Sequence, residues 1–119
     1  MLRLRAAGEH LIIELLSITS PDRKGQELSK ALVSLVGPIQ VQAGCLSCHL
    51  AQIWSAQDTL QIEARWDSQE HLIRHLRSDI FKQLLLLMEL SAAPPVLEFF
   101  TVIEFRGLDL VEAARFLCD

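Results

Sequence analysis

The stretch Asp58-Thr59-Leu60-Gln61-Ile62-Glu63-Ala64-Arg65-Trp66-Asp67-Ser68-Gln69-Glu70-His71-Leu72-Ile73-Arg74-His75 decides how this chain folds. As far as Trp66, Leu60, Ile62, Ala64 and Trp66 alternate with Thr59, Gln61, Glu63 and Arg65, the period of a strand with one buried face. At Asp67 the period changes. Asp67-Ser68-Gln69-Glu70 has the form of a capping box, with Asp as cap and Glu three residues on. Leu72, Ile73, Leu76, Ile80, Leu84, Leu87 and Met88 then recur at helical spacing. Ser78-Asp79 offers a second cap inside that run, which predicts one kinked helix or two pieces.

Working outward, Cys45 to Trp54 is another extended run and forms a hairpin with Asp58 to Trp66 across a short polar turn. Before it, Leu28, Leu32, Leu35, Val36 and Ile39 make one apolar helical stripe. That helix is expected to open at Ser20-Pro21, with Ser as cap, and to end or bend near Gly37-Pro38. Glu9 to Ile18 reads as a first strand. After the break at Ala92-Ala93-Pro94-Pro95, Val96 to Arg106 is a fourth strand, and Leu108 to Leu117 has the spacing of a short C-terminal helix. The order β-α-β-β-α-β defines an α+β, ferredoxin-like chain: a four-stranded antiparallel sheet with helices on one face. It is read as a single domain over residues 1–119, with a core from about 9 to 106 and a tail helix from about 108 to 117.

The sheet's other face is informative. Leu11, Ile13 and Leu15 oppose Ile12 and Leu16, while Leu97, Phe99 and Ile103 oppose Phe100 and Val102. A sheet apolar on both faces must bury the second one. A second copy of the chain, sheet to sheet, would do so as a closed homodimer. The alternative is that the tail helix covers that face within one chain.

With 119 residues, half of them apolar and 22% charged, the chain can bury a real core. A net charge of −4 lacks the basic footprint of a nucleic-acid binder. The longest apolar run, Leu84 to Met88, is far short of the ~20 residues that span a bilayer, so no membrane partner is expected. Arg3 and Arg5 are followed only by Leu11-Ile12-Ile13 before Glu14, which is no signal peptide. Three cysteines, an odd number, fit reduced thiols. The expected location is the cytoplasm.

Several patterns could carry chemistry. Cys45-Leu46-Ser47-Cys48-His49 matches the C-x-x-C-H haem-attachment pattern. In a strand, residues three apart point to opposite faces, so these cysteines are expected neither to grip one porphyrin nor to share a disulfide or a zinc. His71 and His75 lie four apart on one helix face, the spacing of H-E-x-x-H zinc sites, but Leu72 occupies the Glu position and no third ligand is evident. No metal is expected. Trp54 and Trp66 read as packing residues. Glu14, Glu63, Glu98 and Glu104 lie on strands; those on the second face would pair with Arg65 and Arg106 or line a cavity, and a buried one could act as a base. No Gly-rich phosphate loop, G-x-S-x-G elbow or Cys2His2 spacing is present, which removes the nucleotide, flavin and hydrolase readings.

The element order, Gly44-Cys45-Leu46 at the head of the second strand, and Trp66-Asp67-Ser68-Gln69-Glu70 leading through His75 to Ser78-Asp79-Ile80-Phe81-Lys82 resemble the antibiotic biosynthesis monooxygenase (ABM) domain family. The resemblance runs from about Glu9 to Arg106. It implies a dimeric α/β barrel with a ligand cavity between the sheet and helices of each protomer. It also implies a cofactor-independent monooxygenase acting on a small aromatic substrate such as a quinol or an anthrone-like polyketide; haem degraders and proteins without assigned activity belong to the same family. On this resemblance His75 is the base or hydrogen-bond partner and Trp66 a wall, with Ile62, His71, Leu72 and Phe81 lining the ligand pocket and no cofactor or metal. The chain departs from each specialised pattern. Ile62 stands where anthrone oxidisers carry Asn four residues before the Trp, and there is no tyrosine. Gln83 to Met88 lacks the haem degraders' axial histidine, and Ile80 and Phe81 replace a second histidine of quinol oxidisers. A non-catalytic dimer that binds a small apolar ligand or a partner protein, and a structural dimer with a filled core, therefore stand beside the enzyme.

Overall fold

Residues 10–21 and 25–117 are described by a computed structural model. The elements follow the expected order: β1 (Leu11–Thr19), α1 (Gly25–Gln40), β2 (Cys45–Ile53), β3 (Ala56–Trp66), α2 (Gln69–Leu76), α3 (Asp79–Met88), β4 (Val96–Val102) and α4 (Leu108–Glu112), which runs on as a π-helical turn over Ala113–Leu117. The strands form one antiparallel sheet in the order β2-β3-β1-β4, the ferredoxin-like arrangement. Cys118 lies outside the described residues.

Period-two alternation in β1 and β3 sets the layers. Ile12, Leu16 and Ile18 pair with Trp66, Ile62 and Leu60, and these six side chains bury the helix-facing side. Leu28, Leu32, Leu35 and Ile39 of α1, Leu72 of α2, and Phe81 and Leu84 of α3 close the same core. Each fully buried aliphatic chain stabilises the fold by roughly 1.5–3 kcal/mol. No helix among the described residues is long and apolar enough to cross a membrane.

The structure moves several boundaries. The α2 cap is Ser68, not Asp67: Ser68 Oγ accepts the His71 amide, and Asp67 turns to the His71 ring instead. Ser78 is indeed a second cap, accepting the Phe81 amide, so the helical run is two helices. α1 carries Pro38 inside and ends two residues later. Pro21 is irregular, and the expected opening of α1 leads into residues 22–24, outside the described residues. β4 stops at Val102, short of Arg106. Trp54 is no packing residue; it sits in the hairpin turn, 89% exposed.

A bulge corrects the cysteine reading. Cys45 pairs with Trp66, whereas Ser47 already pairs with Arg65, so one extra residue shifts the alternation. Cys45 and Cys48 consequently share the register side of Trp66 and Ala64, not opposite faces. Cys48 is wholly buried and Cys45 lies against the core.

On the second face, Glu63 pairs with Arg65 at 3.5 Å, and past the strand end Arg106 bonds Glu104 and Asp109. The tail helix does not cover this face: α4 packs substantially only on the turn that continues it.

Among the described residues only Gly44 has a left-handed backbone, φ +81°. Its carbonyl accepts the Asp67 amide at 2.9 Å, and the His71 side chain occupies the space a Cβ would need. Gly44→Ala is therefore expected to cost at least about 1–2 kcal/mol from the backbone alone, with the clash added. Placing His71→Ala in the same chain should return only the share of the clash made by the ring, because the Cβ of residue 71 also lies in that space. Thermal unfolding of the single and double variants measures both.

Candidate functional site

In β1 the core-facing parity runs Ile12, Glu14, Leu16, Ile18, which drives a carboxylate into the apolar layer. Glu14 is 2% exposed, and such a charge survives only when paired and hydrogen-bonded. Two elements bring it polar partners. Trp66, the last residue of β3, donates its indole N–H to Glu14 Oε1 at 3.0 Å. His75, in the last turn of α2, places Nε2 3.1 Å from the same oxygen and 3.3 Å from Oε2. The His75 ring stacks on Trp66 at 4.4 Å between centroids and meets the edge of Phe81 at 5.2 Å. Its other nitrogen, Nδ1, lies 2.7 Å from Gln42 Oε1, in the turn between α1 and β2.

Nε2 faces the Glu14 carboxylate and so carries a proton, while Nδ1 meets the side-chain amide of Gln42. If the Gln42 amide turns over, its NH2 donates to Nδ1 and suits the neutral ring, with the remaining proton held on Nε2 by Glu14. Glu14 thus selects the tautomer in which Nδ1 is the basic nitrogen, by the logic of a carboxylate behind a catalytic imidazole. Gln42 is the half-exposed member, so Nδ1 is the side from which solvent or a ligand would come.

Of the residues singled out by sequence, Trp66, His75 and Phe81 come together around one ring. Ile62 and Leu72 are packed in the same core cluster, 2% and 6% exposed. His71 turns away to the rim, with Nδ1 2.6 Å from Asp67 and 3.3 Å from Ser68 Oγ. His71 and His75 are therefore engaged separately, and among the described residues no three His, Cys, Asp or Glu are grouped to hold a metal. Open depressions of about 520, 290 and 570 Å³ lie elsewhere, lined respectively by residues around Ser20 and Gln57, around Leu28 and Leu87, and around Met88 and Pro94. Sequence reasoning did not single out Gln42, and it left Glu14 among the strand carboxylates. The signal for Glu14 was present: it shares the parity of Ile12, Leu16 and Ile18.

Burial also sets the thiols. It pushes Cys48 from an ordinary value near 9 up to about 12, with the neighbouring Cys45 and Glu14 adding to the rise. Cys45 is raised by burial too, against a hydrogen bond to the Ser47 carbonyl. Neither is an activated nucleophile.

A ferredoxin-like sheet with an imidazole–carboxylate–indole cluster buried under its second helix defines the class. The chain belongs to the antibiotic biosynthesis monooxygenase family, whose model matches residues 11–85. No curated protein matches the sequence. Among solved structures it is similar to a conserved protein from Methanosarcina mazei Go1, with 22% identity and a TM-score of 0.72 over 78% of this chain and 93% of that one. It is also similar to a candidate antibiotic biosynthesis monooxygenase from Caulobacter crescentus CB15, with 20% identity and a TM-score of 0.72 over 81% and 92%. A further candidate of that description, from Deinococcus radiodurans, shows 16% identity and a TM-score of 0.73 over 81% and 96%. At these identities the likeness establishes the fold.

Three outcomes follow. Glu14→Ala should destabilise by about 3–5 kcal/mol, because it strands a buried imidazole and indole. Glu14→Leu with His75→Leu should cost less than the sum of the singles; denaturant unfolding in a double-mutant cycle measures the coupling. For Cys48 the folded value exceeds the unfolded one, so the folded state keeps its proton longer and stability falls as pH rises from about 9 towards 12. Cys48→Ala should flatten that part of the pH–stability curve.

Proposed function

We propose that this protein is a cofactor-independent monooxygenase acting on a small aromatic, reducing substrate, and that it works as a homodimer joined through the second face of the sheet. The observation that carries the reading is the Glu14–His75 pair stacked on Trp66: a costly buried cluster that the packing of an otherwise apolar core does not require. Family membership supports the reaction class. The apolar β1–β4 part of the second face, left uncovered by α4, supports the assembly.

The chemistry asks little of the protein. A substrate C–H or O–H beside an aromatic system gives its proton to His75 Nδ1, in the place Gln42 now holds. Glu14 stabilises the imidazolium that forms. The resulting carbanion or phenolate passes one electron to dioxygen, and the radical pair joins into a hydroperoxide. Loss of water leaves a carbonyl, so CH2 and O2 become C=O and H2O. Trp66 and Phe81 hold the His75 ring in plane and exclude water, which strengthens each charge interaction. Ile62 and Leu72 would form the apolar wall and His71 the rim of the substrate space.

A second reading keeps the dimer and drops the catalysis. It is favoured by the 2% exposure of His75 and by depressions that open away from it. Oxygen uptake with a panel of quinols and anthrones separates the two. His75→Ala is expected to lower turnover by roughly 10²- to 10⁴-fold, the usual worth of a general base. Glu14→Gln should lower kcat with little change in KM. Uptake that is unaltered in both variants would remove the mechanism.

A further inference from the structure

Four side chains hold the His75 ring by hydrogen bonds or ring contacts, and three of them are buried. Glu14, Trp66 and Phe81 are 2%, 0% and 6% exposed. Gln42 alone is half-buried, between the exposed Val41 and Ala43 in the turn that joins α1 to β2. None of the four lines any of the three open depressions. Nδ1 therefore meets the outside through the Gln42 side chain, whose Oε1 lies 2.7 Å from it.

The main chain beneath that side chain is pinned. The Gln42 amide donates to the Ile39 carbonyl at 3.1 Å, and the Gln42 carbonyl accepts the Cys45 amide at 3.1 Å. Just before it, the Gln40 side chain donates to the Cys48 carbonyl at 2.9 Å; just after it, the Gly44 carbonyl accepts the Asp67 amide at 2.9 Å. These bonds tie the turn to α1, β2 and the β3–α2 junction, so a loop that lifted away would break several at once. Rotation of the Gln42 side chain breaks one. A neutral hydrogen bond of ordinary worth favours the closed form by roughly three- to tenfold, and side chains near the surface rotate in picoseconds to nanoseconds. The cluster can thus be sealed at rest and still be reached quickly.

A ligand that displaces the amide has to do at Nδ1 what the amide does. A hydrocarbon would leave a buried nitrogen unpaired, at the full cost of an unmet hydrogen bond, whereas a hydroxyl oxygen both donates and accepts. We infer that the Gln42 side chain is the gate of the Glu14–His75 cluster: it closes Nδ1 at rest and turns out of a fixed turn to admit a ligand that leads with a hydroxyl group. The inference rests on the reading of His75 Nδ1 as the reacting atom and adds how that atom is reached and by what.

The test follows the rate at which diethyl pyrocarbonate modifies His75 in the full chain, mapped by peptide mass spectrometry. Rates are compared where they no longer rise with pH, so that the ring is neutral throughout, and the exposed His49 serves as the internal reference. Gln42→Ala is expected to speed modification of His75 at least about threefold, since it removes the closed form, with an unchanged far-UV spectrum. Gln42→Glu keeps the length and makes a stronger, charge-assisted bond, so it should react more slowly than the natural chain. Phenol should protect His75 and toluene should not. A His75 that reacts equally fast in the natural chain and in Gln42→Ala, or a Gln42→Glu chain as fast as Gln42→Ala, would overturn the gate. Protection by toluene as strong as by phenol, or by neither, would overturn the hydroxyl requirement. None of these rates needs turnover, so failure of the gate and failure of the oxygen reaction are separate results.

Discussion

A carboxylate inside an apolar layer is the constraint around which this structure is arranged. Glu14 lies at a core position of β1, and its burial is tolerable only because two other parts of the chain bring polar atoms to it and a third supports one of them. Trp66 supplies an indole N–H from the last residue of β3, and His75 an imidazole from α2. Gln42 satisfies the far side of that imidazole from the α1–β2 turn. Within the described residues no buried side-chain nitrogen or oxygen is left without a partner. A set of bonds drawn from four segments also fixes their relative positions, because a shift in any one would strand a buried charge at a cost of several kcal/mol.

The same economy explains why the Gly44 and Trp66–His75 motifs occur together. They are distant in sequence but form one joint. The Gly44 carbonyl takes the Asp67 amide, its missing side chain leaves room for His71, and Asp67 holds the His71 ring. This joint sets where α2 begins relative to β2, and so how far His75 reaches over Glu14. The β2 bulge beside it turns Cys45 inward next to the cluster. The two cysteines of what read as a haem motif are thereby absorbed into packing, while His49 stays exposed.

The two sides of the sheet are finished differently. The helix-facing side is closed by α1, α2 and α3. The other divides into a polar half on β2 and β3, where Glu63 meets Arg65, and a more apolar half on β1 and β4, where Ile13 pairs with Phe100 and Leu11 with Val102. The uncovered apolar half is the surface that the proposed sheet-face association would bury.

The sequence by itself determined the element order, a kink or break at Ser78-Asp79 in the second helical run and the faces of β1 and β3, because periods of 2 and 3.6 and a Ser cap are local properties. It also carried the family pattern in Gly44, Trp66 and His75. The second-strand register was not legible, since a bulge depends on the partner strand. Nor was the α2 cap, where Asp67 and Ser68 are equally good caps until the His71 ring claims one of them. The polar cluster was half legible. The parity of Glu14 placed it inward, but its meeting with His75, 61 residues away, and with Gln42 depends on how the helices cross the sheet. Only the tertiary structure decided that, because a buried charge chooses its partners by distance in space, while alternation along a strand records nothing more than which side faces in.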